Sequence, residues 1–336
     1  MRPDDPAQPA GIAGSLASVG EFGLIAAMAS RFPPVPLATV GIGDDSAVLA
    51  TPAGNVVAAV DFLLEGRHFR RDWSSAFNVG VKAAARSLAD IAAMGAASTA
   101  VLVALALPDS LPADWAVDFA SGLAAECDRA GAGVVGGDTA QAASVIVSVT
   151  ALGSLPDGVA AVRRSGARPG DVVAVAGPLG HSAAGLALLA AGVPDYPGLV
   201  AAHLRPRPPY AAGLEAARSG ATAMIDTSDG LLADLGHVAD ASGVAIDITT
   251  ARLEVGDELA AAALEISSIT SSSTVPDPQP LSWVLTGGED HSLAATFPPG
   301  VPLPSGWRLI GAVHAGSGVT VDGLQPTGPA GWEHFR

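Results

Sequence analysis

The chain has 336 residues, enough for two domains that each bury a core, and its apolar half is mostly alanine and valine with few aromatics. A formal net charge of −16, with Lys82 the only lysine, excludes a nucleic-acid face of arrayed Lys and Arg and excludes a P-loop of the G-x-x-x-x-G-K-[ST] kind. The longest apolar run, residues 100–107, stops at Pro108, far short of the roughly 20 residues a membrane span needs, and the Met1-Arg2-Pro3-Asp4-Asp5-Pro6 start has no basic or apolar leader character, so a cytoplasmic protein is expected.

Residues 1–19 are expected to be disordered and residues 20–155 to form a first domain. Within it, residues 56–60 and 101–107 read as strands, and residues 75–94 read as a helix that Gly95 ends. A second helix over 112–130 carries Trp115, Phe119 and Leu123 at helical spacing. It also carries the sole cysteine, Cys127, which allows no internal disulfide and reads as a packing residue. Residues 134–135 and 145–152 are again strand-like. The Gly-, Pro- and Arg-rich stretch 154–170 marks the boundary to a second domain, 156–336. There the pattern gives a strand at 171–176, a turn at 177–180, a helix from Ser182, a helix at 209–218, a strand at 221–225 and a helix at 231–241. The Ser- and Pro-rich segment 267–280 is expected to be a mobile loop. The fold class is α/β (α+β).

Acids stand beside glycine at the ends of the apolar runs. Gly41-Ile42-Gly43-Asp44-Asp45 puts two carboxylates in one turn, and two such groups need a cation or strong donors to stay ionised together. Asp226-Thr227-Ser228-Asp229-Gly230 follows a strand and opens a helix. Ser228 or Asp229 there is equally suited to capping, whereas Asp226 at a strand end requires a partner. Asp61, Asp90 and Asp138 are single acids at comparable places, and Gly287-Gly288-Glu289-Asp290 reads as a hairpin turn or a further acidic loop. Acids dispersed over several strand and helix ends suit magnesium, which prefers oxygen ligands and keeps several waters. The seven histidines show no paired spacing for zinc. Carboxylates with magnesium are how an acidic protein can handle polyphosphate, so a magnesium-dependent ATP enzyme is expected. Lys82 reads equally as a phosphate contact or a surface ion pair.

In chain order, Glu21-Phe22-Gly23-Leu24-Ile25, the Gly41 to Asp45 turn, Asp61 with Glu65-Gly66-Arg67-His68-Phe69, residues 87–95, Gly136-Gly137-Asp138-Thr139, residues 164–171, the Asp226 to Gly230 loop and the Gly287 to Asp290 loop form one series. That series resembles the thiamine-monophosphate kinase family, in the superfamily that includes aminoimidazole ribonucleotide synthetase and selenophosphate synthetase. The resemblance runs from about Gly20 to Trp332-Glu333-His334-Phe335. It implies ATP as co-substrate, several Mg2+ ions, thiamine monophosphate as phosphoryl acceptor, and a homodimer in which the N-terminal mixed sheets pair while a C-terminal α/β domain completes each chain. By resemblance, Asp44, Asp45, Asp61, Asp90, Asp138, Asp226 and Asp229 match metal positions; Gly137, Asp138, Arg164 and Ser228 match ATP contacts; His68, Glu289 and Trp332 match acceptor positions. Direct transfer without a phosphoenzyme is expected.

Ala59-Val60 stands where relatives have two hydroxyl residues, Thr139-Ala140-Gln141-Ala142 lacks an arginine common there, and His291 replaces a tyrosine. Two alternatives remain: another ATP-using member of the superfamily, and a non-catalytic Mg- or nucleotide-binding regulator. Selenophosphate synthetase would need an N-terminal redox Cys or selenocysteine that this chain lacks.

Overall fold

The computed structural model describes residues 27–36, 38–40, 48–49, 56–193, 195–270 and 279–332. Residues 1–19, the Glu21 to Ile25 and Gly41 to Asp45 segments with Asp44 and Asp45, and residues 333–335 lie outside the described residues, as does most of the expected 267–280 loop.

After the short pair β1 (Ala38–Val40) and β2 (Val48–Leu49), the first layer runs β3 (Val56–Leu64), α1 (Ala76–Ala93), β4 (Ala97–Leu107), α2 (Ala113–Ala130), β5 (Gly133–Gln141) and β6 (Ile146–Ser154). The sheet order is β3-β6-β4-β5, with β4 and β5 parallel and the other pairs antiparallel. Ser75 caps α1 by accepting from the Asn78 amide, and Gly131 at φ 74° ends α2. The two helices lie together on one face of the sheet. Gly80 and Gly122 make that contact possible: a Cβ on either would come 2.0 Å from a backbone oxygen of the other helix. Cys127 is buried there, and burial with the neighbouring Glu126 pushes its thiol up to about 12, as a packing role requires.

Among the described residues, no helix covers the opposite face of this sheet. Alternation along β3 turns Ala59, Asp61 and Leu63 toward α1 and leaves Val56, Val60 and Phe62 53–61% exposed.

The second layer follows with β7 (Val172–Ala176), α3 (His181–Ala191), α4 (Pro197–Leu204), α5 (Tyr210–Arg218), β8 (Ala223–Asp226), α6 (Leu231–Ser242) and β9 (Ala245–Ile248). It ends with α7 (Asp257–Thr270), α8 (Pro280–Thr286), β10 (Leu293–Phe297), β11 (Trp307–His314) and β12 (Gly318–Val321). The sheet order is β12-β9-β11-β7-β10-β8. Period-two alternation divides β7: Val173 and Val175 join the core under α3, α6 and α7, while Ala174 and Ala176 face a second core shared with Ala92 and Ala93 of α1 and with α5. Edge strand β8 therefore meets the C-terminal half of α1, and the two layers join there.

Several elements differ from the sequence expectation. Asp61 and Asp138 lie inside strands and not at their ends, because β3 and β5 run on through them. The 267–280 segment begins as the last turn of α7, and residues 287–290 form a loop from α8 to β10 in place of a hairpin.

Candidate active site

A cavity of about 440 Å3 opens where α1, β3 and β8 converge. Its acidic wall is Asp61 from β3, Asp90 from α1, Asp226 at the end of β8, and Asp229 with Ser228 from the loop before α6. Its other wall carries His68, Glu289 and Trp332. Eight residues singled out in the sequence thus share one cavity although they come from across the whole chain. A larger, open cleft of about 690 Å3 gathers Arg163, Arg168 and Arg218 but none of these acids.

Among the described residues, the acids of this wall outnumber the cations close to them. Burial pushes the Asp90 carboxyl up to about 8, reinforced by the charges of Asp226 and Asp61 and a hydrogen bond with Asp61, against the opposing pull of Arg164. Asp61 Oδ2 is buried with no hydrogen-bond partner among the described residues. Asp226 is 4% exposed and its Oδ2 lies 3.0 Å from His291 Nδ1, so this ring orients the carboxylate. Asp234, on the first turn of α6, accepts from the Asp229 and Gly230 amides at 3.1 and 3.0 Å and thereby shapes the Asp229 loop. Its carboxyl is pushed up to about 8 by burial and by Asp226 and Asp229.

Among the described residues, no group of three or more His, Cys, Asp or Glu side chains is placed to hold a metal ion by itself. An open set of mutually repelling carboxylates, hard oxygen donors with an unpartnered buried atom, fits a magnesium ion that retains waters.

The opposite wall is held by cations. Lys82, 1% exposed, reaches Glu289 Oε2 at 2.6 Å and the His68 carbonyl oxygen at 3.0 Å, while Arg86 Nη1 meets Glu289 Oε1 at 2.6 Å. Lys82 is therefore a buried ion pair and not a surface one. Burial opposes ionisation of Glu289, but Lys82, Arg86 and His203 outweigh it and hold the carboxyl below its usual range. Burial lowers Lys82, and Glu289 opposes the shift.

Glu289 and His291 both adopt positive φ, 64° and 51°, on either side of Asp290, whose carboxylate accepts from the Gly180 and Ser182 amides at 2.5 and 2.8 Å. Asp290 thus ties the loop to the start of α3. Below it Ser182 Oγ contacts His203 Nδ1 at 3.2 Å, and burial with the Lys82 charge lowers His203 to about 3.

Trp332 stands at the rim, 57% exposed, its amide donating to the Asp229 carbonyl at 2.9 Å and its ring 5.9 Å from the Arg67 guanidinium.

Three chosen residues lie outside the cavity lining. Arg164 sits in a 3-10 turn, near enough to act on Asp90. Asp138 pairs across the sheet through Ala104 and Ser148 with Phe62, so it shares the open face with Phe62, opposite to that of Asp61. Gly137 is explained by packing, since a Cβ there would lie 2.0 Å from the Val103 oxygen.

Sequence reasoning missed Arg86, Asp234, Ser182 and His203. Lys82, Arg86 and Asp90 recur at a spacing of four on α1, a stripe that was readable as one helix face.

A two-layer fold with acids gathered at the junction of its sheets defines an AIR synthase related protein. The family described as AIR synthase related protein, N-terminal domain, matches residues 43–155, and the corresponding C-terminal domain matches residues 168–285. A thiamine-monophosphate kinase of Mycobacterium tuberculosis (strain ATCC 25618 / H37Rv) is 46% identical over 322 residues, 96% of this chain and 93% of that protein. The crystal structure of thiamine-monophosphate kinase from Stenotrophomonas maltophilia K279a has a TM-score of 0.77 at 33% identity, covering 94% of this chain and 100% of that one. A structure described as AaThiL complexed with AMPPCP and TMP has a TM-score of 0.75 at 33% identity, covering 96% and 100%. The chain belongs to the thiamine-monophosphate kinase family.

Proposed function

We propose that this chain catalyses ATP-dependent phosphorylation of thiamine monophosphate to thiamine diphosphate, with ADP as the other product. One observation carries the reading: a chain 46% identical over 96% of its length to a thiamine-monophosphate kinase has Asp61, Asp90, Asp226 and Asp229 in a single cavity with an acidic wall and a cation-held wall.

Asp61, Asp90, Asp226 and Asp229 would hold Mg2+ together with Asp44 and Asp45, and Asp138, on the other face of the sheet, would hold Mg2+ for a neighbouring copy of the chain. When bound, magnesium supplies charge neutralisation and alignment to the polyphosphate. Gly137, Asp138, Arg164 and Ser228 are assigned to ATP, and His68, Glu289 and Trp332 to the acceptor. An oxygen of the acceptor phosphate bonds to the γ-phosphorus as the bond from that phosphorus to the departing ADP oxygen breaks. Ser182, the hydroxyl beside His203, lines the cavity but is only 1% exposed, which favours direct transfer over a phosphoserine intermediate.

A second copy of the chain is the proposed cover for the open sheet face. Val60 at 61% and Phe62 at 59% exposure make that face apolar, and Asp138, on the same face, would then reach the neighbouring copy's nucleotide. The chain divides, on this reading, into an N-terminal part at 20–155 and a C-terminal part at 156–336.

Turnover with ATP, Mg2+ and thiamine monophosphate tests the reaction, and chiral γ-phosphate tests its course. Absence of thiamine diphosphate overturns the reading, and retention at phosphorus overturns direct transfer.

A further inference from the structure

The cations around the cavity differ in what remains unused on them. Lys82 is 1% exposed and is taken up by Glu289 and the His68 carbonyl. Arg70 is tied to Asp72 through two hydrogen bonds, and the Arg67 guanidinium lies over Trp332.

Arg86 is different. Its side chain is 12% exposed, lines the cavity, and makes one ion pair, from Nη1 to Glu289 Oε1 at 2.6 Å. Its Nε is buried with no hydrogen-bond partner among the described residues. A buried guanidinium N–H left without an acceptor is costly, and the planar fork of arginine matches two phosphate oxygens. Lys82 and Arg86 also share the single carboxylate of Glu289, so the group keeps uncompensated positive charge on the wall opposite four carboxylates.

We propose that Arg86 anchors the phosphate of the acceptor, with Glu289 and Lys82 as the positioning residues that hold its guanidinium. This rests on the functional reading above and adds to it a division of labour between the two phosphate-bearing substrates. The polyphosphate of the nucleotide goes to the acidic wall with its metal, and the acceptor monoester goes to Arg86. Anionic donor and acceptor phosphates must approach each other for transfer, and a cation on the acceptor side offsets their repulsion where no carboxylate-bound metal is needed. Lys82 and Arg86 are one helical turn apart on α1, which makes the Glu289 bridge a lock on the Arg86 rotamer.

The test compares thiamine monophosphate with thiamine, which has the same rings without the phosphate. Binding of each is measured calorimetrically with Mg2+ and without ATP, for wild type, Arg86→Met and Arg86→Lys, with melting temperatures recorded for all three. A charge-assisted contact to phosphate predicts that Arg86→Met weakens thiamine monophosphate by about ten- to a hundredfold and leaves thiamine nearly unchanged. Arg86→Lys, which keeps the charge but loses the fork, should lie between and fold even where Met does not. Equal weakening of both ligands means that Arg86 only supports Glu289 and overturns the proposal, as does unchanged affinity for both. Wild-type protein that binds neither ligand overturns the functional reading itself.

Discussion

Lys82→Met is the sharpest test of how the cation-held wall is built. Methionine keeps most of the aliphatic stem, so the change removes the charge with little cavity formation. Breaking a buried ion pair by deleting one partner costs about 3–5 kcal/mol. Glu289 is 22% exposed and retains Arg86, which places the loss near the lower end, about 3 kcal/mol. With an unfolding entropy of about 2 cal/mol/K per residue, that corresponds to a melting point lower by about 4–8 °C, depending on whether the two halves unfold together or separately. Calorimetry of metal-free protein reads it directly. Glu289→Gln added to Lys82→Met should cost less than the two single losses combined, because each single change strands a charge that the other removes. Strictly additive losses, or a Lys82→Met protein as stable as wild type, would refute the buried pairing and return Lys82 to the surface or to the phosphate.

Three further outcomes follow from the same geometry. The Asp90 carboxyl is raised from 3.8 to about 8, so the folded protein holds a proton that the unfolded chain has released between those values. The stability this gives is present below about pH 3.8 and is lost as pH rises through about 8, at up to about 1.4 kcal/mol per pH unit. The melting-point difference between metal-free wild type and Asp90→Asn should therefore move against wild type from pH 5 to 8 and shrink with Mg2+; a constant difference contradicts the crowding of carboxylates. Trp332→Ala should weaken the acceptor by about 1–3 kcal/mol, the scale of ring stacking, and leave ATP alone; parallel loss of both substrates with a lower melting point assigns the ring to anchoring the chain. If a second copy covers the open sheet face as proposed, Val60→Glu, at a position 61% exposed there, should shift sedimentation toward monomer with the fold retained, and an unchanged sedimentation coefficient refutes that pairing.

The parts legible in the sequence were those set by short-range periodicity. The 75–94 helix, the β7 and β8 strands and the acids at β8 and on α1 follow from apolar spacing and from the rule that a charge beside a core needs a partner. The ends of β3 and β5 were not legible, because glycine and aspartate read as turn residues, while in β5 a glycine meets the backbone of β4 and Asp138 projects from the uncovered face. Lys82 misled for a related reason. A lone lysine reads equally as a phosphate contact or a surface ion pair, and only the distant Glu289 loop, 207 positions away, makes its burial tolerable.

The strained residues identify where this long-range constraint is strongest. Glu289 and His291 hold positive φ on either side of Asp290, a conformation that costs each about 1–3 kcal/mol and that no local sequence signal requires. Each is fixed by tertiary contacts: Glu289 by Lys82 and Arg86 of α1, Asp290 by the first amides of α3, and His291 by Asp226 at the end of β8. Three consecutive residues thus bind three separately folded elements, and two of them reach opposite walls of the same cavity. Because the loop connects Glu289 to Asp226 through only Asp290 and His291, a shift of the α1 cations should be felt at the acidic wall. The backbone of this loop thus fixes Glu289 relative to Asp226, while α1 carries Arg86 and Asp90 one turn apart, so loop and helix together set how the two walls face each other.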